Sequence, residues 1–280
     1  MSGTRLHFPP APAINDRLVI VAHGERGGAA DNRALHGLAF SVEQRLGLSV
    51  LAATLFGEPN LDHVLSGATP SRTWIYPMFL SDGYYVRSVV PTRLAAYSNA
   101  AGFGGDGWRV LSPLGLDAGL PGLVHRSIEA KMDSRGWSEQ ETTVLLVGHG
   151  SAISAQPRNA IRRIAFSLEN ASEFAGIRVA FLEEAPTIEA VARRLPQKTV
   201  VVGLFSGCGQ HASTDVPTLL RPYHHEWPVI PSIGGEPAIA ALIADAFRVG
   251  HASANPNYAS ANAAPVRQTA TTDAFVASHG

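Results

Sequence analysis

Two stretches of the chain, about half its length apart, carry the same residues in the same order. VIVAHGE (residues 19–25) and LLVGHGS (145–151) both run from an apolar segment into His-Gly, and His149 lies 126 positions after His23. The same offset maps LAFSVE (38–43) onto IAFSLE (164–169), and it also maps Phe79 onto Phe205, Gly83 onto Gly209 and Pro91 onto Pro217. A constant offset across separate blocks predicts a tandem duplication.

Each half alternates short apolar runs with helical patterns. The second half contains TVLLVG, IRVAFLE, TVVVGLF and WPVIPSIG, with helices predicted from about Arg158 and Thr187. The first half repeats this order with LVIVAHG, SVLAATLF, TWIYPMF and WRVLSPLG. Nearly continuous Val and Ile runs between helices are typical of parallel sheets covered on both faces. The predicted fold class is α/β, with two tandem-duplicated lobes, each a parallel sheet flanked by helices, and an active-site cleft between them.

The polar, glycine-bearing segment KMDSRGWSEQET (131–142) separates the halves. It predicts a first lobe over residues 16–136 and a second lobe over 142–250. After Gly250 the chain is rich in Ala, Ser, Asn and Thr without periodicity, which predicts a disordered tail over 251–280 with His251 in solvent. Such a tail is expected to contribute little to folding or activity.

Composition excludes several classes of function. The net charge of −1 offers no general attraction for nucleic acid or anionic membranes. A single cysteine, Cys208, allows neither an internal disulfide nor a cysteine-held cluster. The sequence shows no signal-peptide pattern and no apolar run approaching the ~20 residues of a membrane helix. We expect a cytoplasmic protein with no nucleic-acid or membrane partner; its oligomeric state is left open.

Ionisable side chains collect where the predicted strands of the second half end. His149 ends the first strand, Glu183 and Glu184 end the second, and His211 lies in the loop after the third. In open parallel sheets, ligands bind beyond the carboxyl ends of the strands. Two imidazoles and one carboxylate suit Co²⁺, Fe²⁺, Ni²⁺ or Zn²⁺ and leave coordination positions open.

Each of these residues also has an ordinary structural explanation. A histidine at a strand end is often hydrogen-bonded or a general base. An acid at the start of a helix is favoured by the helix dipole, and His211 could be a solvated loop residue. The pattern of residues leaves both interpretations open.

The first half keeps the histidine and loses the other two ligands. The offset places Tyr85 opposite His211, and aligning PNLDHV with PTIEAV places Phe56 opposite Glu183. Because an aromatic pair cannot hold a divalent ion, we predict a degenerate site that forms one wall of the cleft. Residues of this half could face a flat, carboxylate-bearing ligand by stacking and ion pairing, or be plain surface residues at a helix start. This set is Tyr84, Tyr85, Arg87 and Arg93.

The motifs LLVGHGS, VAFLEEAPTIE and VVVGLFSGCGQHASTDVP resemble the sirohydrochlorin chelatase family, the class II chelatases of cobalamin and sirohaem biosynthesis. The resemblance extends over residues 144–233 and is weaker in the first half, through VIVAHGE and YPMFLSDGYYVRSVVP. Family members insert Co²⁺ or Fe²⁺ into sirohydrochlorin between two α/β lobes, without ATP or an organic cofactor. The resemblance implies that His149 and His211 are the paired metal-binding histidines and that Glu183 is the acid of the FLE motif. Some long members keep the working histidines in the first half, whereas here the second half holds the complete set.

Insertion requires two pyrrole N–H protons to leave, which is general-base work. His149, His211 and Glu183 are therefore the predicted catalytic and metal-binding residues, and the sequence does not separate ligand from base or cobalt from iron. A non-catalytic metal or tetrapyrrole carrier would need the same ligands. VAHGE also resembles the RHGE of histidine phosphatases, but Ala22 and Gly148 stand where those enzymes need arginine.

Overall fold

The computed structural model describes residues 16–24, 32–66, 72–101, 108–223 and 226–254. Each half of the chain forms a four-stranded parallel sheet, in the order β2-β1-β3-β4 for the first and β6-β5-β7-β8 for the second. The strands are β1 (Asp16–Ala22), β2 (Val50–Thr54), β3 (Arg72–Pro77), β4 (Trp108–Val110), β5 (Thr143–Gly148), β6 (Gly176–Phe181), β7 (Thr199–Gly203) and β8 (Val229–Ile230).

Helices connect these strands in both halves. They are α1 (Arg33–Leu46), α2 (Leu61–Ser66), α3 (Val90–Ala101), α4 (Leu120–Asp133), α5 (Gln156–Ala171), α6 (Ile188–Ala192), α7 (Val216–Leu220) and α8 (Ile239–Ala254). A π-helical turn precedes α3 at Tyr85–Val89 and α7 at His211–Asp215. Among the described residues, no helix has both the length and the apolar character needed to cross a bilayer. The predicted α/β fold with two tandem lobes is confirmed.

The central strands explain why the sheets are parallel and covered on both faces. Every residue of β5 is buried, and alternate residues of β1 belong to different cores. Leu18 and Ile20 lie in a core that also contains residues of the second half, whereas Val19 and Val21 lie in a core confined to the first lobe. Period-two alternation between two apolar layers gives the continuous apolar runs seen in the sequence.

The last helix of each half packs against the other half. Helix α8 packs along α1 of the first lobe, and α4 packs against α5, β7 and β8 of the second lobe. The Arg248 guanidinium donates to the Arg45 carbonyl at 2.8 Å, and the Ser127 hydroxyl donates to Glu236 at 3.0 Å. The spatial lobes therefore differ from the sequence halves by the exchange of two helices, and one core joins them.

His251 is not in solvent, so this part of the sequence-based expectation was wrong. Helix α8 continues to Ala254, and His251 is only 5% exposed. Its ring lies 5.8 Å from the Trp74 ring, and its Nε2 is 3.3 Å from the Asp16 carboxylate that also accepts the Trp74 indole N–H. The exchange of α8 brings this histidine onto β3, which composition alone did not indicate. The remainder of the predicted tail, 255–280, lies outside the described residues.

Ending the chain after Gly250 is expected to destabilise it relative to ending it after Ala254. The shorter chain loses the buried His251 ring and its contact with Asp16, which should lower the free energy of unfolding by about 2 kcal/mol. Thermal and denaturant unfolding of the two truncations measures the difference. Equal stability would show that the contacts of His251 contribute nothing.

Candidate metal and catalytic site

The two repeated histidines lie on matching glycine turns. His23 follows β1 and His149 follows β5, and the next residue, Gly24 or Gly150, has φ of +97° or +72°. A Cβ on Gly150 would lie 2.9 Å from the Phe181 Cβ, and one on Gly24 would lie 1.9 Å from the Phe56 carbonyl oxygen. Only glycine fits this left-handed, crowded position. The turn therefore fixes where each imidazole leaves the sheet.

The backbone confirms the alignment of the two halves at the second strand end. The Glu183 N–H donates to the His149 carbonyl at 3.0 Å, and the Phe56 N–H donates to the His23 carbonyl at the same distance. The π-helical turns beginning at His211 and Tyr85 are also equivalent. Position by position, the second lobe carries His, Glu and His where the first carries His, Phe and Tyr.

In the second lobe, both imidazoles direct Nδ1 at oxygen acceptors. The two rings lie 4.7 Å apart, nearly perpendicular. His149 Nδ1 is 3.2 Å from the Gly150 carbonyl, and His211 Nδ1 is 2.7 Å from the Asp215 carboxylate. Since these oxygens can only accept, Nδ1 carries the hydrogen in both neutral rings and Nε2 keeps its lone pair. Two imidazoles this close, each with an Nε2 lone pair, are a type of ligand that suits a borderline metal ion.

Glu183 lies beside this pair, on the Nδ1 side of His149. Its carboxylate is 3.4 Å from His149 Nδ1, and the side chains of Glu183, His149 and His211 are 55%, 42% and 47% exposed. All three predicted residues are therefore brought to one accessible edge of the sheet. Within the described residues their ligand atoms do not all lie within 4.8 Å of one another. Glu183 contacts His149 Nδ1, and not the Nε2 that the proposed metal would use.

In the first lobe the Tyr85 hydroxyl lies against Nε2 of the equivalent histidine. His23 Nδ1 faces the Gly24 carbonyl at 3.1 Å, and the Tyr85 hydroxyl lies 3.3 Å from Nε2, where it can donate. The His23 ring centroid is 4.9 Å from that of Phe56 and 5.1 Å from that of Tyr85. An aromatic cluster thus fills the place of the metal-ligand set.

In the comparison with known protein families, one family model matches both halves of the chain. The family model described as CbiX matches residues 17–131 and 143–249. The chain belongs to the CbiX family. The solved structure of a CbiX, described as the terminal enzyme for biosynthesis of siroheme in denitrifying bacteria, is 34% identical, with a TM-score of 0.72 over 83% of this chain and 98% of that one. The resemblance to sirohydrochlorin chelatases seen in the sequence is confirmed.

Two further proteins are similar to this chain at lower sequence identity. A probable sirohydrochlorin cobaltochelatase of Halobacterium salinarum is 22% identical over 224 residues, covering 71% of this chain and 75% of that protein. The structure of SirB from Bacillus subtilis with Fe3+ is 16% identical, with a TM-score of 0.67 over 87% of this chain and 98% of that one. This CbiX-family chain therefore shares its fold with SirB over most of both lengths.

The four predicted cleft-wall residues of the first lobe differ in their surroundings. Tyr84 is 72% exposed, whereas the Tyr85 ring stacks on Phe79 and its hydroxyl contacts His23. Arg87 is exposed and paired with Asp82 at 2.7 Å, a hydrogen bond that raises the pKa of its guanidinium. Tyr84 and Arg87 are therefore accessible to a ligand, and Tyr85 lies next to Tyr84.

The Arg93 side chain binds to other residues of the first lobe. Its guanidinium donates to the Leu55 carbonyl at 2.8 Å and lies 3.5 Å from the Asp62 carboxylate, and its side chain is 23% exposed. These contacts tie α3 to the end of β2 and the start of α2. We therefore leave Arg93 out of the proposed ligand-binding set.

Sequence reasoning assigned no role to two further residues beside the site, Asp215 and Glu184. Asp215 accepts from His211 Nδ1, and Glu184, only 9% exposed, accepts the Ser151 N–H at 3.0 Å and forms an ion pair with Arg158. The four-residue spacing of His and Asp in HASTD was the available signal for Asp215. Glu184 was noted as the neighbour of Glu183, but only the fold shows that it braces the His149 turn.

Another ionisable group lies at the linker between the halves. Within the described ranges, the ligand atoms of His125, Glu129 and Glu139 lie within 4.8 Å of one another. His125 Nε2 is 2.5 Å from a Glu139 oxygen, a hydrogen-bond distance, whereas two ligands of one tetrahedral ion lie about 3.3 Å apart. The other Glu139 oxygen accepts the Glu173 N–H at 2.7 Å. We interpret the contact between His125 and Glu139 as a structural one that attaches α4 to the linker.

Proposed function

We propose that this chain inserts a divalent metal ion, Co²⁺ or Fe²⁺, into sirohydrochlorin without ATP. The observation that carries this proposal is the pair of neighbouring imidazoles, His149 and His211, whose Nδ1 atoms both face oxygen and whose Nε2 lone pairs are left for a metal. Membership of the CbiX family and the cobaltochelatase name of the Halobacterium relative support the substrate.

In the proposed mechanism the two histidines hold the incoming ion through Nε2. Two imidazoles leave positions open, so the ion can be transferred to the pyrrole nitrogens of the macrocycle. The ion keeps its oxidation state, and two protons leave the two pyrrole N–H groups. Glu183 is accessible and adjacent, and we propose that its carboxylate accepts the two protons one after the other and releases each to solvent water.

The first lobe is proposed to face the macrocycle rather than the metal. Phe56 and Tyr84 are large apolar side chains that are 48% and 72% exposed at the strand ends of this lobe. Exposed aromatic rings can stack on a flat tetrapyrrole, and the exposed guanidinium of Arg87 can pair with its carboxylates. Tyr85 holds the ring of His23 in this surface.

The identity of the metal is part of the proposal. Imidazole and carboxylate ligands bind first-row divalent ions in the general affinity order, without selecting cobalt over iron. The names of the relatives point to both, since one is a cobaltochelatase and another structure holds Fe3+. We propose Co²⁺ and Fe²⁺ as the physiological candidates, with Ni²⁺ and Zn²⁺ as ions that the same ligands can accept.

The test is anaerobic insertion with sirohydrochlorin in large excess over protein, followed by absorption, with Co²⁺, Fe²⁺, Ni²⁺ and Zn²⁺ in turn. Many equivalents metallated per chain, above the rate without protein, are expected. A metal or tetrapyrrole carrier would stop at about one equivalent per site. The chain with His149 and His211 both replaced by alanine is the matched control for metal transfer outside the site.

A further inference from the structure

We propose that Asp215 is a positioning residue that holds His211 in the orientation and tautomer needed to bind the metal. The inference rests on the proposed function, because it assigns a partner to one of the proposed ligands. The two side chains lie on one π-helical turn, with His211 Nδ1 2.7 Å from an Asp215 oxygen.

The chemistry of this contact fixes which nitrogen is available. A carboxylate can only accept, so it selects the neutral tautomer with hydrogen on Nδ1 and the lone pair on Nε2. A carboxylate behind a ligating imidazole also orients the ring and makes it a stronger donor. The partner of His149 is weaker, because the Gly150 carbonyl at 3.2 Å is uncharged and Glu183 lies 3.4 Å away. His211 is therefore the more firmly held of the two ligands.

Asp215 is not needed as a helix cap. It ends the π-helical turn with helical backbone angles, φ −69° and ψ −50°, so α7 continues the same helical path, and its side chain makes no hydrogen bond to the backbone of α7. Its carboxylate is directed to His211 instead. The same π-helical turn forms in the first lobe, where Val89 occupies the equivalent position. The turn itself therefore does not require an aspartate.

The internal repeat provides a second argument. Tyr85 and Val89 stand where the second lobe has His211 and Asp215, so the imidazole and the carboxylate are both absent from the lobe whose remaining histidine has its Nε2 occupied. A carboxylate that only stabilised the turn would not need to accompany the histidine. The pair acts as one unit at the metal-facing edge.

The experiment compares Asp215→Ala with Asp215→Glu, which keeps a carboxylate, and with Thr214→Ala, a matched change on the same turn. Asp215→Ala is expected to raise the KM for Co²⁺ in insertion, and the Kd for Co²⁺ without tetrapyrrole, by about 10- to 100-fold, while kcat at saturating metal stays within about threefold. Asp215→Glu should restore most of the affinity, and Thr214→Ala should match the unchanged protein.

The split between KM and kcat separates positioning from folding. A partly unfolded variant has fewer active molecules, which lowers kcat and leaves the KM of the remainder unchanged. Asp215→Ala with unchanged Kd and KM for Co²⁺, whatever its kcat, would overturn the inference. His211→Ala in the same assays distinguishes the two proposals: if it inserts metal normally, the proposed site itself fails, and if only Asp215→Ala is normal, the site stands without this partner.

Discussion

His149→Ala and His211→Ala should each reduce metal insertion by at least about 100-fold, whereas His23→Ala should retain a substantial rate. The first two changes each remove an Nε2 donor from the pair that faces the proposed metal position. His23 has the Tyr85 hydroxyl against its Nε2, and Phe56 and Tyr85 stand where the second lobe has Glu183 and His211. The two halves should therefore be functionally unequal even though their backbones match.

The comparison is made by anaerobic turnover with Co²⁺ and with Fe²⁺, together with a thermal unfolding curve for each variant. His63→Ala, at an exposed position on α2, controls for the loss of a histidine elsewhere on the first lobe. All three imidazoles of interest lie on turns or loops outside the cores, so unfolding temperatures should change little. Equal loss of insertion in His23, His149 and His211 variants would contradict the asymmetry.

The sequence could predict the duplicated α/β fold because each strand shows itself in a short stretch of residues: an apolar run, and in both halves a His-Gly pair at the end of the first run. In β5 the residues from Val144 to Val147 are apolar without interruption, since both faces of the sheet are covered. The offset between His23 and His149 then aligns the strand ends, and the structure places Glu183 and His211 beside His149 as that alignment implies. Strand ends of neighbouring parallel strands meet at one edge, so chain order alone brings these residues together.

The sequence could not predict which surface each apolar helix covers. Periodicity shows that α4 and α8 have an apolar face, but it does not show that each packs against the opposite lobe. His251 was assigned to solvent because the segment after Gly250 has the composition of a disordered tail, although its ring lies against Trp74. The sequence also did not indicate the partners of Arg93, the Leu55 carbonyl and Asp62, because they come from distant parts of the chain.

The exchange of helices also couples the stability of the two lobes. Because the core that contains Leu18 and Ile20 also contains Val144 and Leu146, neither sheet can lose its covering helix without exposing apolar surface of the other. We therefore expect the two lobes to unfold together rather than in separate steps.

The adjacent glutamates Glu183 and Glu184 should respond in opposite ways to replacement by glutamine. Glu184 is nearly buried, accepts the Ser151 N–H and pairs with Arg158. Glu184→Gln removes the charge from this pair and should lower the free energy of unfolding by about 2–3 kcal/mol, measured by denaturant titration. Glu183 is 55% exposed, so Glu183→Gln should leave that free energy unchanged.

The effect on chemistry should be the reverse. If Glu183 accepts a pyrrole proton, Glu183→Gln should slow insertion by about 100-fold while Co²⁺ still binds, because the two Nε2 donors are intact. Loss of Co²⁺ binding in this variant would make Glu183 a metal ligand instead. Insertion at the unchanged rate would remove it from the mechanism. The neighbouring Glu184→Gln variant serves as the matched control, since correctly folded molecules of it keep the Glu183 carboxylate and both histidines.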